Sequence, residues 1–326
     1  MTLDPFIRRA HARYPKAPSM PKDPVGRRVW AAEQSRVGVE ILGTPKADVA
    51  TMDVVIPVAG HPDARARVFW PTPERGGEGL PMYVYFFGGG WTIGGIDEEH
   101  WDRTMRRRAA ASGAIVVAGE YSLGPERRYP TQPEQCYAIV AWASEHAAEL
   151  GGSSERLAVG GASAGGNLSA AVTLLNLQRA RLPIRLLLLE APSLDLTSRH
   201  VDFHGTGPWW QRLILRWYHH KLVMIYAGRR ALLKDPIVSP LRAPSLEGFP
   251  RTVIYTGELD PLKGDARAFV TRLAEAGVPA VGLFSVGQTH GSGGMVRWVP
   301  AADHLEQDIA MQLRGLMTED APYPPA

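Results

Sequence analysis

From residue 80 onward, short apolar runs rich in β-branched residues alternate with stretches whose apolar residues recur every three or four positions. Strands buried on both faces read as unbroken apolar runs, whereas a helix packed on a sheet shows one apolar stripe. The alternation therefore predicts an α/β fold around a largely parallel sheet. Strands are expected at "MDVVIPV" (52–58), "ARVFW" (66–70), "MYVYFF" (82–87), "AIVVAGE" (114–120), "RLAVG" (156–160), "RLLLLE" (185–190), "TVIYTG" (252–257) and "AVGLFSV" (280–286). The first two are close enough to pair as an antiparallel hairpin. Helical periodicity covers 97–112, 133–150, 164–180, 265–277 and 301–317, which gives an eight-stranded sheet flanked by helices.

Residues 1–48 and 195–248 break the alternation. The second contains "HGTGPWWQRLILRWYHHKLVMIYAG", an aromatic helix-like insertion opened by Gly207 and Pro208. In a parallel sheet both intrusions fall over the carboxyl ends of the strands, where ligands bind. They are read as a cap, the N-terminal segment and the insertion, on a catalytic domain of 49–194 and 249–326. The most apolar stretch of the insertion, 213–227, is broken by Arg216, His219, His220 and Lys221. It cannot span a bilayer, although it could lie along an interface. The net charge of +3 is spread along the chain, which argues against a nucleic-acid partner. The single cysteine, Cys136, excludes an intrachain disulfide and reads as a buried, inert thiol on an amphipathic helix. With no apolar leader in the first twenty residues, a cytoplasmic location is expected.

The chemistry centres on "RLAVGGASAGGNLSAAVTLL" (156–175). A strand runs into Gly161-Ala162-Ser163-Ala164-Gly165 and then into an apolar helix, the G-x-S-x-G arrangement that lifts a serine hydroxyl above a sheet on a strained turn. Such a serine needs a base and a group that orients the base. Downstream, "TGELDPL" puts Asp260 in the loop after one strand and "SVGQTHGSGG" puts His290 after the next. Glu258 is the rival acid and His304, on the C-terminal helix, the rival base. His200, Asp202 and His204 have no evident third ligand and no shared helical face, so no metal site is expected. His219 and His220 point apart on a helix. After the third strand, "FGGGW" (87–91) bares backbone N–H groups, as stabilisation of an oxyanion requires. A nucleotide loop fails by register, because Ile93 and Ile96 stand where glycine and lysine would be needed.

With "EYSLGPERRYPTQPEQC", "GGASAGGNLSAA", "PSLDL", "DPIVSPL", "GELDPLKGDARAFVTRLAEAGV" and "THGS", these motifs resemble the bacterial hormone-sensitive-lipase-like (family IV) esterases of the α/β-hydrolase fold, over residues 80–317. "LEAPSLD" and the H-G-S ending are most similar to the heroin-esterase-like acetyl esterase branch. The resemblance implies a triad of Ser163, Asp260 and His290, oxyanion donors on the N–H groups of Gly89, Gly90 and Ala164, a helical cap, and no cofactor or metal. Family members often form homodimers. Three positions depart from the family pattern: Phe87 replaces the histidine of H-G-G-G, Ala162 the acid of G-D-S-A-G, and Ser122 the arginine of Y-R-L-A-P-E. Apolar packing is expected to replace a polar support network behind the site.

The expected substrate is a small carboxylic ester, short-chain or aryl, with Trp91, Phe203, Trp209, Trp210 and Trp217, and with them Tyr218, as candidate pocket or lid residues. An amidase or a xenobiotic hydrolase would use the same triad. A noncatalytic receptor on this fold is favoured only by Phe87.

Overall fold

The computed structural model describes residues 2–14, 18–203 and 208–318. All eight predicted runs pair into one sheet: β1 (Thr51–Ile56), β2 (Ala64–Phe69), β3 (Leu80–Phe86), β4 (Ile115–Glu120), β5 (Gly152–Ala162), β6 (Ile184–Glu190), β7 (Arg251–Gly257) and β8 (Ala280–Ser285). The order is β1-β2-β4-β3-β5-β6-β7-β8. Strand β2 is antiparallel to both neighbours, and every pair from β4 to β8 is parallel. The central parallel strands are largely apolar because both faces are covered, whereas the edge strand β8 has one face partly open. Met82 to Phe86 and Leu186 to Leu189 are all buried.

The helices are α1 (Pro5–His11), α2 (Pro24–Leu42), α3 (Glu99–Ser112), α4 (Thr131–Glu145), α5 (Ala147–Leu150), α6 (Ala164–Gln178), α7 (Trp209–Ala227), α8 (Lys263–Glu275) and α9 (Pro300–Arg314). Two sequence boundaries are corrected. The helix expected over 133–150 breaks at His146 into α4 and α5, and the strand expected at 156–160 reaches from Gly152 to Ala162. Helix α7 starts directly after Pro208 and stops at Gly228; Gly207 lies outside the described residues. Helix α6 is buried at thirteen positions in succession, Ala164 to Asn176. That explains its apolar sequence and puts its first turn under the sheet's centre.

The N-terminal segment packs beside the loop that follows β8. Ile7, Ala10 and Leu42 share a cluster with Met295, Val296 and Val299, and Asp4 accepts a hydrogen bond from the Gln288 side chain at 2.8 Å. Arg28 of α2 donates to the carbonyls of Thr92 and Gly124 at 3.2 and 3.0 Å. Helices α1 and α2 thus brace two loops at the carboxyl edge of the sheet. Cys136 is buried, and burial holds its thiol well above the ordinary range, so no thiolate forms at neutral pH.

One buried ionic cluster sits at the end of β6. Arg108 on α3, 2% exposed, donates to both carboxylate oxygens of Glu190 at 2.7 and 2.8 Å and to both of Glu306 on α9 at 3.1 and 2.7 Å. Burial works against the charge of Glu306, yet the Arg108 guanidinium holds its carboxyl below the usual range. Removing one member of such a cluster strands the others without compensation. Arg108→Met is therefore expected to cost about 3–5 kcal/mol. Adding Glu190→Gln and Glu306→Gln should recover a large part of it, read by urea unfolding of the single and triple variants.

Candidate active site

Ser163 sits between β5 and α6 with φ 53° and ψ −111°, a conformation that costs an L-residue on the order of 1–3 kcal/mol. The turn is tight enough to need glycine on both sides. A Cβ on Gly161 would lie 2.5 Å from the Phe86 carbonyl oxygen, and one on Gly165 would collide with the same oxygen. The strained residue is tied down through its own backbone. Its N–H donates to the Glu190 carbonyl at 2.8 Å, and its carbonyl accepts from Asn167 at 3.0 Å and Ser193 at 3.3 Å.

The Ser163 hydroxyl is 3.0 Å from His290 Nε2, and His290 Nδ1 is 2.8 Å from Asp260 Oδ2. Serine, imidazole and carboxylate thus form one unbroken line of hydrogen bonds drawn from the ends of β5, β8 and β7. Asp260 is fully buried and its other oxygen accepts the Leu262 N–H at 2.8 Å. The rival acid is engaged elsewhere: Glu258 accepts from the Gly287 N–H at 3.0 Å. His304 is exposed on α9. Loss of water around the His290 ring opposes its charge, but the charge and hydrogen bond of Asp260 prevail and raise its pKa above the ordinary histidine value. The ring stays reachable, with 41% of its side chain exposed.

The glycine loop after β3 abuts the serine. A Cβ on Gly88 would stand 3.4 Å from the Ser163 Cβ. Gly89 adopts φ 134°, and its carbonyl accepts the N–H groups of Thr92 and Ile93 at 3.1 and 3.2 Å, which curls the loop over. No backbone carbonyl among the described residues takes the N–H of Gly89, Gly90 or Ala164. Behind the loop, the Phe87 ring stacks on Tyr121 at 4.5 Å, and the Tyr121 hydroxyl donates to the Phe87 carbonyl at 2.8 Å. Where the family pattern has arginine, the Ser122 N–H donates to Gln135 Oε1 at 2.7 Å, and Gln135 Nε2 donates to the Ser122 hydroxyl at 2.9 Å.

Helix α7 lies against this loop with one face. A Cβ on Gly90 would be 2.7 Å from Leu222, and Tyr226 stacks on Trp91 at 4.6 Å with rings 6° from parallel. Trp91 is buried there, at φ 59°, and packs between loop and helix rather than forming an open wall. One turn before Leu222, His219 Nδ1 lies 3.1 Å from the Ser198 hydroxyl, and its Nε2 is buried without a partner among the described residues. Burial, then repulsion from His290 and His220, pushes the His219 pKa down to about 4, so its ring is neutral at pH 7. Periodicity alone placed His219 and His220 on different sides of a helix; which side faces the serine depends on packing.

The remaining aromatic candidates fall elsewhere. Trp209, Trp210 and Trp217 are 71, 53 and 63% exposed, because His219, Leu222 and Tyr226 already occupy the inner face of α7. Tyr218 is half-buried. Phe203 lines an open cleft of about 600 Å³ together with Arg199, Asp202, Arg212 and Leu213. His200 Nε2 is 3.8 Å from Asp195, and His204 lies outside the described residues. Among the described residues no group of three His, Cys, Asp or Glu side chains is arranged to hold a metal.

Comparison with known proteins agrees with this geometry. A family model of the alpha/beta hydrolase fold matches residues 83–293. A carboxylesterase of Mycobacterium tuberculosis, NlhH, is 35% identical over 74% of this chain and 75% of its own. An arylesterase of Saccharolobus solfataricus is 30% identical over 84% of this chain and 79% of its own. Among solved structures, a hyperthermophilic esterase from Pyrobaculum calidifontis superposes with a TM-score of 0.81 at 26% identity, covering 97% of this chain and 99% of that one. A metagenomic carboxylesterase, EstE1, does so at 0.78 and 30% identity, covering 92% and 100%. Sheet order, strained serine turn and matched sequence together make the chain a member of the hormone-sensitive-lipase-like family of alpha/beta hydrolases.

Proposed function

We propose that the protein is a serine carboxylesterase that hydrolyses short-chain or aryl esters through an acyl-enzyme formed on Ser163. The observation that carries this reading is the line from Ser163 through His290 to Asp260, with both hydrogen bonds at 3.0 Å or less. Ser163 attacks the ester carbonyl as His290 Nε2 takes its proton, and the buried Asp260 carboxylate stabilises the imidazolium. The tetrahedral oxyanion is received by the N–H groups of Gly89, Gly90 and Ala164, each worth about 2.7–4 kcal/mol in a preorganised site. His290 then protonates the leaving alcohol, and a water activated by the same ring releases the acid.

Residues 1–48 and 195–248 act as the cap in this reading. The contacts of Arg28 with Thr92 and of Leu222 with Gly90 support it, since both segments press on the oxyanion loop. The close fit of Leu222, Trp91 and Tyr226 around that loop favours small acyl or aryl groups over long chains, in keeping with the arylesterase among the relatives. A cytoplasmic location is supported by the single buried, unpaired Cys136, and no helix among the described residues is long and apolar enough to cross a membrane. Strand β8 ends the sheet with Val281 and Leu283 exposed, an edge suited to pairing with a second copy.

Hydrolysis of p-nitrophenyl acetate, butyrate and octanoate should fall from butyrate to octanoate, and Ser163→Ala should abolish turnover of all three at pH 8. Full activity in that variant would sink the acyl-enzyme. Since Asp260 raises the His290 pKa, the acidic limb of kcat/KM should have its midpoint above 6.5, the unperturbed histidine value. Asp260→Asn should move that limb to lower pH and reduce kcat by about 10⁴; an unmoved limb would remove Asp260 from the role. Phe87→His should lower both turnover and melting temperature, because it breaks the stack on Tyr121. If neither changes, Phe87 does not support the loop.

A further inference from the structure

Helix α7 is apolar on two opposite faces, and only one of them meets the protein. The inner face carries Leu222 and Tyr226 onto the oxyanion loop. On the outer face, Trp209, Trp210, Leu213, Ile214 and Trp217 stand 53 to 71% exposed. Their spacing of i, i+1, i+4, i+5 and i+8 sets them side by side over two helical turns. A contiguous apolar patch with three tryptophans is not the scattered exposure of an ordinary surface, and it calls for an occupant.

Charge selects the occupant. Helix α7 contains Arg212, Arg216 and Lys221 and no acidic residue. Arg216 and Lys221 are exposed at the margins of the stripe, with the Lys221 ammonium 5.3 Å above the Trp217 ring. Arg199, Arg212 and Arg216 line the cleft of about 600 Å³ beside the stripe, in company with Asp202. A Trp- and Leu-bearing face edged by arginine and lysine matches helices that lie in the plane of a membrane, tryptophans at headgroup depth and cations on anionic lipid. A protein partner would need an apolar face and acidic groups placed opposite both Arg216 and Lys221, whereas an anionic bilayer offers both along the whole helix. The helix cannot cross the bilayer, so it rests on it.

We propose that the outer face of α7 binds the surface of an anionic phospholipid bilayer. The helix bound there keeps its inner face on Gly90 and Trp91, so an ester dissolved in the interface meets the cap edge directly. Surface binding is separate from ester hydrolysis and would stand even if Ser163 formed no acyl-enzyme.

The full chain is tested by co-sedimentation with phosphatidylcholine vesicles, with and without about 30% phosphatidylglycerol, at low and high salt. Binding should be at least about tenfold tighter on the anionic vesicles and weaken as salt rises. Trp209→Ser with Trp210→Ser and Trp217→Ser should abolish it, and Arg216→Glu with Lys221→Glu should remove the preference for anionic lipid. Far-UV circular dichroism and a melting curve establish that each variant is folded; the charge pair serves if the tryptophan triple is not. Absence of binding at low salt, equal binding to both vesicles, or binding indifferent to these substitutions would overturn the proposal. So would a dimer that the tryptophan triple converts to monomer in size-exclusion chromatography, since the stripe would then belong to a second copy.

Discussion

The hydrogen bond from the Ser163 N–H to the Glu190 carbonyl is the contact on which the site's geometry rests. A residue at φ 53° and ψ −111° would relax if released, and the relaxed serine would leave the line to His290. Glu190 is itself held, its carboxylate gripped by Arg108 and Arg108 in turn by Glu306. A chain of charge therefore runs from α9 through α3 to the end of β6 and terminates on the backbone of Ser163. Burying those charges is costly, and the cost is offset only because every member has a partner.

The glycine loop after β3 is supported differently. In place of the histidine, acid and arginine of the family pattern stand Phe87, Ala162 and Ser122, and the support comes from a stacked ring pair, one tyrosine hydroxyl and a buried glutamine. Ring stacking and the close approach of Gly88 to Ser163 fix the loop by shape. The groups that pack against Phe87 and Ser122, the Tyr121 ring and hydroxyl and the Gln135 amide, are uncharged, so this part of the loop is held without a buried ion pair. His219 is also neutral, but its buried Nε2 lacks a partner among the described residues.

Helix α7 joins two environments. Its inner residues, Leu222 and Tyr226, extend the core over the loop, and its outer tryptophans face away from it. Trp209, Trp210 and Trp217, candidates for the pocket or lid, stand exposed on the outer side for a physical reason. A helix apolar on both sides has no pattern that says which side is inward, and only the contacts with Gly90 and Trp91 assign it.

The sequence by itself determined the alternating architecture, because strands buried on both faces must be continuously apolar and crossover helices must not be. It also singled out Ser163, since only glycine tolerates the backbone approach at 161 and 165, and it pointed to a carboxylate in the loop after β7 and to His290 in the loop after β8, with His304 as the rival. The resemblance already pointed to Asp260 over Glu258, and the tertiary structure shows how the two differ: Asp260 turns to His290 while Glu258 is spent on a loop N–H. The tertiary structure alone decided the pairing of Arg108 with Glu190 and Glu306, which lie 82 and 198 residues away, and which face of α7 looks inward. Periodicity and turn chemistry are local and can be read along the chain; charge pairing and the facing of a two-sided helix depend on distances across the fold that no local pattern records.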